Sequence, residues 1–391
     1  MDERIEERAC LCALNRTFGF EPKVGLALLE RFGSGREVFR HAGKDVGKVL
    51  AEMSREKYLG QVTASAFESA AMELEDLSGK GCRFVGIGEE GYPALLRECD
   101  DPPIGLYFKG GSSPEETFNQ RVQVAVVGTR ALTSYGRDWC QRIVSAMSKA
   151  RSKPLVVSGL ALGVDVTAHR TALENGLPTV AVMATGIDDI YPERNRSVGE
   201  QIASTPGCAL VSDYPPGTSA VPFNFLRRNR IIAGCCSATI LVESKVRGGG
   251  MMTARLAHSY DRDVMALPGR IDDPVSQGCN LLIKETMAEP VGDLGEMAER
   301  LGLGSASISR QADFLESVKE YYGKDLEAEE LETVCSIAMF IKKNRGASLD
   351  EICQARKLTF STVTRYTSML ECDGFISIDL LQHCSASPKK F

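Results

Sequence analysis

The sequence predicts an α/β protein: a mostly parallel sheet covered by helices on both faces, preceded by a small helical domain and followed by a compact helical unit. Three observations carry this. Between about 121 and 290, short apolar runs alternate with amphipathic helical stretches. The runs are continuously apolar, as strands buried on both faces are. Outside that region, up to about residue 75 and again from about 328, apolar positions recur mainly at helical spacing.

In the first 75 residues, helical periodicity runs through Ala9 to Leu14, Val24 to Phe32 and Val62 to Leu74. Phe18-Gly-Phe-Glu-Pro22 turns between the first two helices, and Ser34 is placed to cap the next. The hairpin lacks a Gly-x-Gly turn and carries Glu21, so a protein-contact or scaffolding role is expected rather than a grip on a DNA backbone. Residues 80 to 110 form a bridge with short strands at Phe84–Ile87 and Leu106–Phe108.

The sheet strands are expected at Val122–Val127, Leu155–Val157, Thr179–Met183, Ala209–Ser212, Ala238–Val242 and Asp263–Leu267. Helices are expected over Tyr135–Lys149 and Asp165–Asn175, and from about Thr253. The segment 303–327 reads as a polar linker. Beyond it, helices are expected at Leu331–Lys342, Ser348–Ala355 and Thr359–Leu370, the second with a capping box from Ser348 and Glu351. Asp373-Gly374 turns into an alternating strand at Phe375–Ile378, which gives a winged-helix outline. The expected domains are therefore 1–78, 79–302 and 328–391.

Composition narrows the function classes. The 391 residues carry a net charge of −6, so affinity for a polyanion has to come from a local patch. No apolar run reaches the roughly 18 residues of a membrane span, and the charged start (Met1-Asp-Glu-Arg) lacks a signal-peptide core. A cytoplasmic protein with no membrane partner is expected. Thirteen scattered cysteines include no Cys-x-x-Cys, so they read as small apolar residues and free thiols, with no metal and no cofactor expected.

Ligands of parallel sheets sit beyond the carboxyl ends of the strands, and the motifs fall there. Gly128-Thr129-Arg130 follows the first strand of the parallel region, offering turn amides, a hydroxyl and a planar cation to an anion. Ser158-Gly159 through Gly163-Val-Asp165 follows the next; Asp165 is expected to cap a helix and to form a structural pair with His169. Tyr191-Pro-Glu-Arg-Asn-Arg196 adds Arg194 and Asn195. In Phe225-Leu-Arg-Arg-Asn-Arg-Ile-Ile232, three arginines lead into an apolar pair, which places their charges at the mouth of the sheet, with Phe225 available for base stacking. Lys245 and Arg247 flank Gly248-Gly249-Gly250 before a helix. From Phe223 to Arg270, eight basic residues stand against three acidic ones, which favours a polyanion site.

Taken together, the Gly128-Thr-Arg130, Ser158-to-Asp165, Tyr191-Pro192/Asn195, Arg228-to-Gly234, Gly249-to-Ala254 and Pro268-Gly269/Gln277-to-Asn280 motifs resemble the DNA-processing protein A family (DprA, also called Smf). The resemblance covers about residues 90 to 290. It implies an extended Rossmann-like domain that binds single-stranded DNA and dimerises, without catalysis. It also implies loading of RecA recombinase during natural transformation, and fits a SAM-like helical domain and a terminal winged helix. Carried over by motif, Arg130, Ser158, Gly159, Asn195, Arg228, Asn229 and Arg230 line the DNA pocket, with Arg194, Lys245 and Arg247 beside them. The chain departs from the family pattern at Leu226, where proline is usual, at Gly248, where serine is usual, and at Lys284-Glu-Thr-Met-Ala288.

Two other readings remain open. One is a nucleotide-processing hydrolase on the same kind of fold, although the chain lacks the Pro-Gly-Gly-x-Gly-Thr loop of such enzymes. The other is a duplex-DNA regulator acting through the C-terminal unit, although Arg365 is the only basic residue of its third helix.

Overall fold

Nine strands form one sheet in a computed structural model that describes residues 3–118, 122–304, 314–323, 325–344, 346–379 and 382–386. They are β1 (Arg83–Gly86), β2 (Gly105–Gly110), β3 (Gln123–Val127), β4 (Leu155–Ser158), β5 (Thr179–Val182), β6 (Ala209–Ser212), β7 (Ala238–Leu241), β8 (Asp263–Ala266) and β9 (Glu289–Pro290). The spatial order is β1-β2-β6-β5-β4-β3-β7-β8-β9. Neighbours from β6 through to β9 pair in parallel, whereas β1, β2 and β6 pair antiparallel. The bridge segment therefore extends the sheet rather than linking two domains.

Every residue of β3, β4, β5, β6 and β7 is buried, as the continuous apolar runs require of central strands. One face carries Val127, Val157, Ile232, Leu241 and Met251 in a single core. On the other face, Leu14, Phe18 and Leu28 of the N-terminal helices pack with Tyr107, Met183 and Leu210. The helical segment thus shares its core with the sheet and belongs to one compact unit spanning Met1–Ala306. No helix among the described residues is long and apolar enough to cross a membrane.

A second unit spans Ser307–Phe391. Its helices are Phe314–Tyr322, Ala328–Lys343, Leu349–Arg356 and Phe360–Cys372, and the Ser348/Glu351 capping box is present. Strands β10 (Ala347–Ser348), β11 (Ile376–Ile378) and β12 (His383–Ala386) pair antiparallel in the order β10-β12-β11. The expected linker 303–327 is corrected here. Phe314, Val318 and Tyr322, spaced four apart, bury one helical face in this core beside Ile337, Val363 and Phe375. Residues 305–313 lie outside the described ones.

Candidate nucleic-acid interface

The parallel strands β5, β4, β3 and β7 present their carboxyl ends along one edge, and three of the predicted motifs turn there together. At the spacing of neighbouring strands, those four ends span about 15 Å. Gly128 leaves β3 where a Cβ would meet Glu243 O at 2.7 Å and a Val164 methyl, so only glycine permits the turn. Gly163 has φ of 83° and lies against the carbonyls of Thr129 and Arg130, which seats the Val164–Glu174 helix start beside the Gly128 loop. Gly250 sits so close to Gly128 that a Cβ would reach its Cα at 2.9 Å. Two helix N-termini, at Val164 and Gly249, therefore converge on one glycine.

Above this floor stands Arg130. It is exposed, with its guanidinium 4.9 Å from the centroid of the Phe225 ring. Tyr191 meets the same ring edge-on at 5.6 Å and is 44% exposed. Thr129 Oγ1 accepts from Ala131 N at 3.1 Å, which shapes the loop. Glu243, buried at the end of β7, accepts from Thr133 N at 3.0 Å and from the Thr133 hydroxyl at 2.5 Å, fixing the loop that carries Arg130. A buried acidic residue directly after an apolar strand was the available signal for this support.

The arginines of 227–230 are placed differently from expectation. They lie in a helix, Pro222–Cys235, and their side chains are largely buried rather than held at the sheet's mouth. Arg228 is buried, and Nη1 donates to Gly159 O at 2.7 Å and to Val182 O. Burial pulls its pKa down to about 10, opposed by Asp165. Arg228 therefore holds the ends of β4 and β5 together from beneath the rim. Arg230 is 5% exposed; it donates to Asp213 Oδ2 at 2.8 Å and to Asp101 O. Burial works to lower its pKa, yet Asp213 and then Asp101 hold it above the ordinary value. The expectation that Arg230 holds phosphate is corrected, because its charge is met inside the protein. Asn229 is buried as well.

Ser158 donates its hydroxyl to Val126 O at 2.7 Å, and Asn195 donates to Leu160 O at 2.8 Å, so both brace the loop from within. A Cβ at Gly159 would lie 2.5 Å from Arg228 Cζ, so glycine here leaves the guanidinium its place against the strand ends. Three smaller expectations change. Gly163, not Asp165, is the N-cap, and Asp165 instead accepts from Ala161 N at 3.4 Å. Burial raises the Asp165 pKa, with Arg228 acting against it. His169 does not pair with Asp165; its Nδ1 bonds the Thr179 hydroxyl at 2.8 Å, and burial drives its pKa down to about 3. The helix expected from Thr253 begins at Gly249, so Gly249 and Gly250 form its first turn.

Lys245 and Arg247 are exposed before that helix, and Arg194 is exposed on the turn after β5. Folding consumes much of the charge excess of 223–270. Arg227 and Arg230 meet Asp213, Arg255 meets Glu285, Arg262 meets Glu98 and Arg270 meets Asp272. Asn280 exchanges two bonds with the backbone of Gly269, which explains that distant motif pair as a structural latch.

Residues 83–302 match the family model of DNA recombination-mediator protein A. The chain is 36% identical over 267 residues to Protein Smf of Synechocystis, covering 66% of this chain and 65% of that protein. It is 38% identical over 199 residues to the DNA processing protein DprA of Streptococcus pneumoniae, 51% of this chain and 67% of that one. A putative DNA processing protein DprA of Mycobacterium tuberculosis is 33% identical over 75% of each chain. Among solved structures, DNA processing protein A of S. pneumoniae superposes with a TM-score of 0.58 at 31% identity, covering 74% of this chain and 95% of that one. The Helicobacter pylori protein, described through its single-stranded DNA binding mode, does so with 0.50 at 27% identity, covering 56% and 95%.

Proposed function

The chain belongs to the DNA recombination-mediator protein A family, and on that premise we propose that it binds single-stranded DNA along the carboxyl-end rim of its sheet without catalysing a reaction. The observation that carries this reading is Arg130, an exposed guanidinium laid on Phe225 above two converging helix N-termini. Turn amides and helix dipoles there favour phosphate oxygens. The Phe225–Tyr191 ring pair and the planar Arg130 head offer stacking surfaces to unpaired bases, which a duplex keeps inside its stack. The single-strand binding reported for the Helicobacter pylori relative supports the ligand class. In this reading Arg130, Arg194, Lys245 and Arg247 supply the cations, while Ser158, Gly159, Asn195 and Arg228 hold the rim in shape.

We extend the proposal to a cytoplasmic homodimer, formed through the Rossmann-like domain, that passes the bound strand to RecA recombinase, consistent with the mediator description of the family. Light scattering tests the dimer, and recombinase filament assembly on strands precoated with this protein tests the transfer.

The direct test is fluorescence anisotropy with oligo-dT and a matched duplex across a salt series. Four exposed cations predict a log–log salt slope of about −3 for the single strand, made shallower by about 0.7 in Arg130→Ala. The affinity of that variant should fall roughly tenfold or more, the loss of a charged hydrogen bond. Unchanged slope and affinity in Arg130→Ala would remove the rim as the site. Duplex bound as tightly as single strand would favour the C-terminal unit as the reader.

A further inference from the structure

The Pro222–Cys235 helix carries a second aromatic two residues before Phe225. Two residues along a helix turn the side chain by about 200°, so Phe223 faces away from Arg130 and toward the N-terminal helical segment. There it meets Phe20, in the turn between the first two helices, with ring centroids 6.3 Å apart and planes 27° from parallel. Phe20 is 63% exposed and Phe223 58%. Leu226, three residues on and therefore on the same helix face, is 46% exposed and continues the strip.

Arg227 is built into the back of this strip. Its guanidinium lies 4.8 Å from the Phe20 ring centroid and 5.7 Å from that of Tyr214. It also donates to Gly19 O and sits 3.6 Å from Asp213. The rings are thus held from one side, with their cation spent internally. Glu21, the nearest acidic residue in sequence, is occupied by Arg55 and Lys57. The patch presents exposed, near-parallel aromatic faces, and the guanidinium packed against it, Arg227, is engaged internally. Such a surface suits bases rather than phosphates.

We propose that Phe20 and Phe223 form a second base-stacking platform, which extends the single-stranded DNA path from the Arg130–Phe225 rim onto the N-terminal helical segment. The inference rests on the single-strand reading of the rim. It adds to that reading a residue from outside the parallel sheet and its motifs. Phe223 and Phe225 project from opposite sides of one helix turn about 10 Å across, so a strand leaving the rim has to round that turn, a distance of roughly two or three nucleotides, to reach this platform. Because stacking tolerates any base, the platform lengthens the footprint without adding sequence preference.

The full chain is tested with an oligo-dT of about 4 nucleotides, enough for the rim, and one of about 12, both within the range of single-strand site sizes. Phe20→Leu and Phe223→Leu keep the apolar contact and remove the aromatic face, and thermal unfolding confirms that each remains folded. Each variant should bind the longer strand about five- to hundredfold more weakly, bind the short one normally, and leave the salt slope unchanged. 2-Aminopurine placed in the added segment should lose its quenching in both variants. Normal binding of the longer strand by both variants would overturn the platform. So would an equal loss on both lengths. Arg130→Ala separates the two readings. If it weakens both strands while the phenylalanine variants bind normally, the rim stands and the platform falls. If it has no effect, the rim falls.

Discussion

Arg130 and Arg230 both answer the sequence description of a phosphate-holding arginine, and folding gives them opposite fates. Arg130 is exposed and rests on an aromatic ring. Arg230 is enclosed between Asp213 and Asp101, carboxylates that stand 17 and 129 residues before it in the chain. The contrast shows that availability of an arginine is decided by the carboxylates that tertiary structure brings to it. Local density of positive charge does not decide it. Arg227 makes the same point from a third position, since it ties a neighbouring helical segment to the sheet through Gly19 O and the Phe20 ring.

The largest effect that tests this contrast belongs to Arg230→Ala. Removing Arg230 takes away the close partner of buried Asp213 and leaves it only Arg227, 3.6 Å away, at a cost approaching the roughly 3–5 kcal/mol of a broken buried pair. Chemical denaturation should show that loss. Replacing both partners together, Arg230→Met with Asp213→Leu, should recover part of it, because apolar pairs of similar volume often substitute for buried ion pairs, while Arg227 and Asp101 lose a partner. A stable Arg230→Ala protein that has lost affinity for oligo-dT would break the contrast and return Arg230 to the ligand set.

Gly159→Ala comes next. The added methyl falls against the Arg228 guanidinium, the far end of a flexible side chain but one held by two strand-end carbonyls. Overpacking of this kind costs about 1–3 kcal/mol. Denaturation should register it, and oligo-dT affinity should fall too as the loop above β4 shifts. A neutral substitution would mean that Arg228 is freer to move than its hydrogen bonds indicate, and so closer to Arg130 in kind.

The parallel sheet was readable because each central strand is a short apolar run buried on both faces, and its carboxyl ends announce themselves by Gly128 and Ser158-Gly159. The Gly128-Thr-Arg130 loop was legible for the same reason, since backbone requirements leave local marks. The roles within 225–230 were not. Arg-Arg-Asn-Arg reads as a charged surface, whereas its partners, Asp213, Asp101, Gly159 O and Val182 O, are distant in sequence. Glu243, which fixes the Arg130 loop through Thr133, was marked only by its place after an apolar strand, and its partner lies 110 positions away. The Phe314–Tyr322 helix, by contrast, carried its Phe314, Val318, Tyr322 periodicity in plain view within a segment whose polar residues outweighed it.

The smallest effect on stability is expected at Arg130 itself, and it is the sharpest test of the comparison. Its visible interaction is one exposed cation–π contact, worth about 0.5–1 kcal/mol at such sites. Arg130→Ala also relieves an exposed charge near Arg228, whose pKa Arg130 helps to lower. The two contributions oppose each other, so the midpoint of denaturation should move by no more than the roughly 0.5 kcal/mol typical of surface substitutions. Binding and stability then separate cleanly: Arg130→Ala loses the strand and keeps the fold's stability, while Arg230→Ala loses several kcal/mol of that stability. A destabilisation at Arg130 comparable to that at Arg230 would show that Phe225 and its loop depend on the guanidinium for their structure, and Arg130 would become a second internal lock rather than a group held out for a ligand.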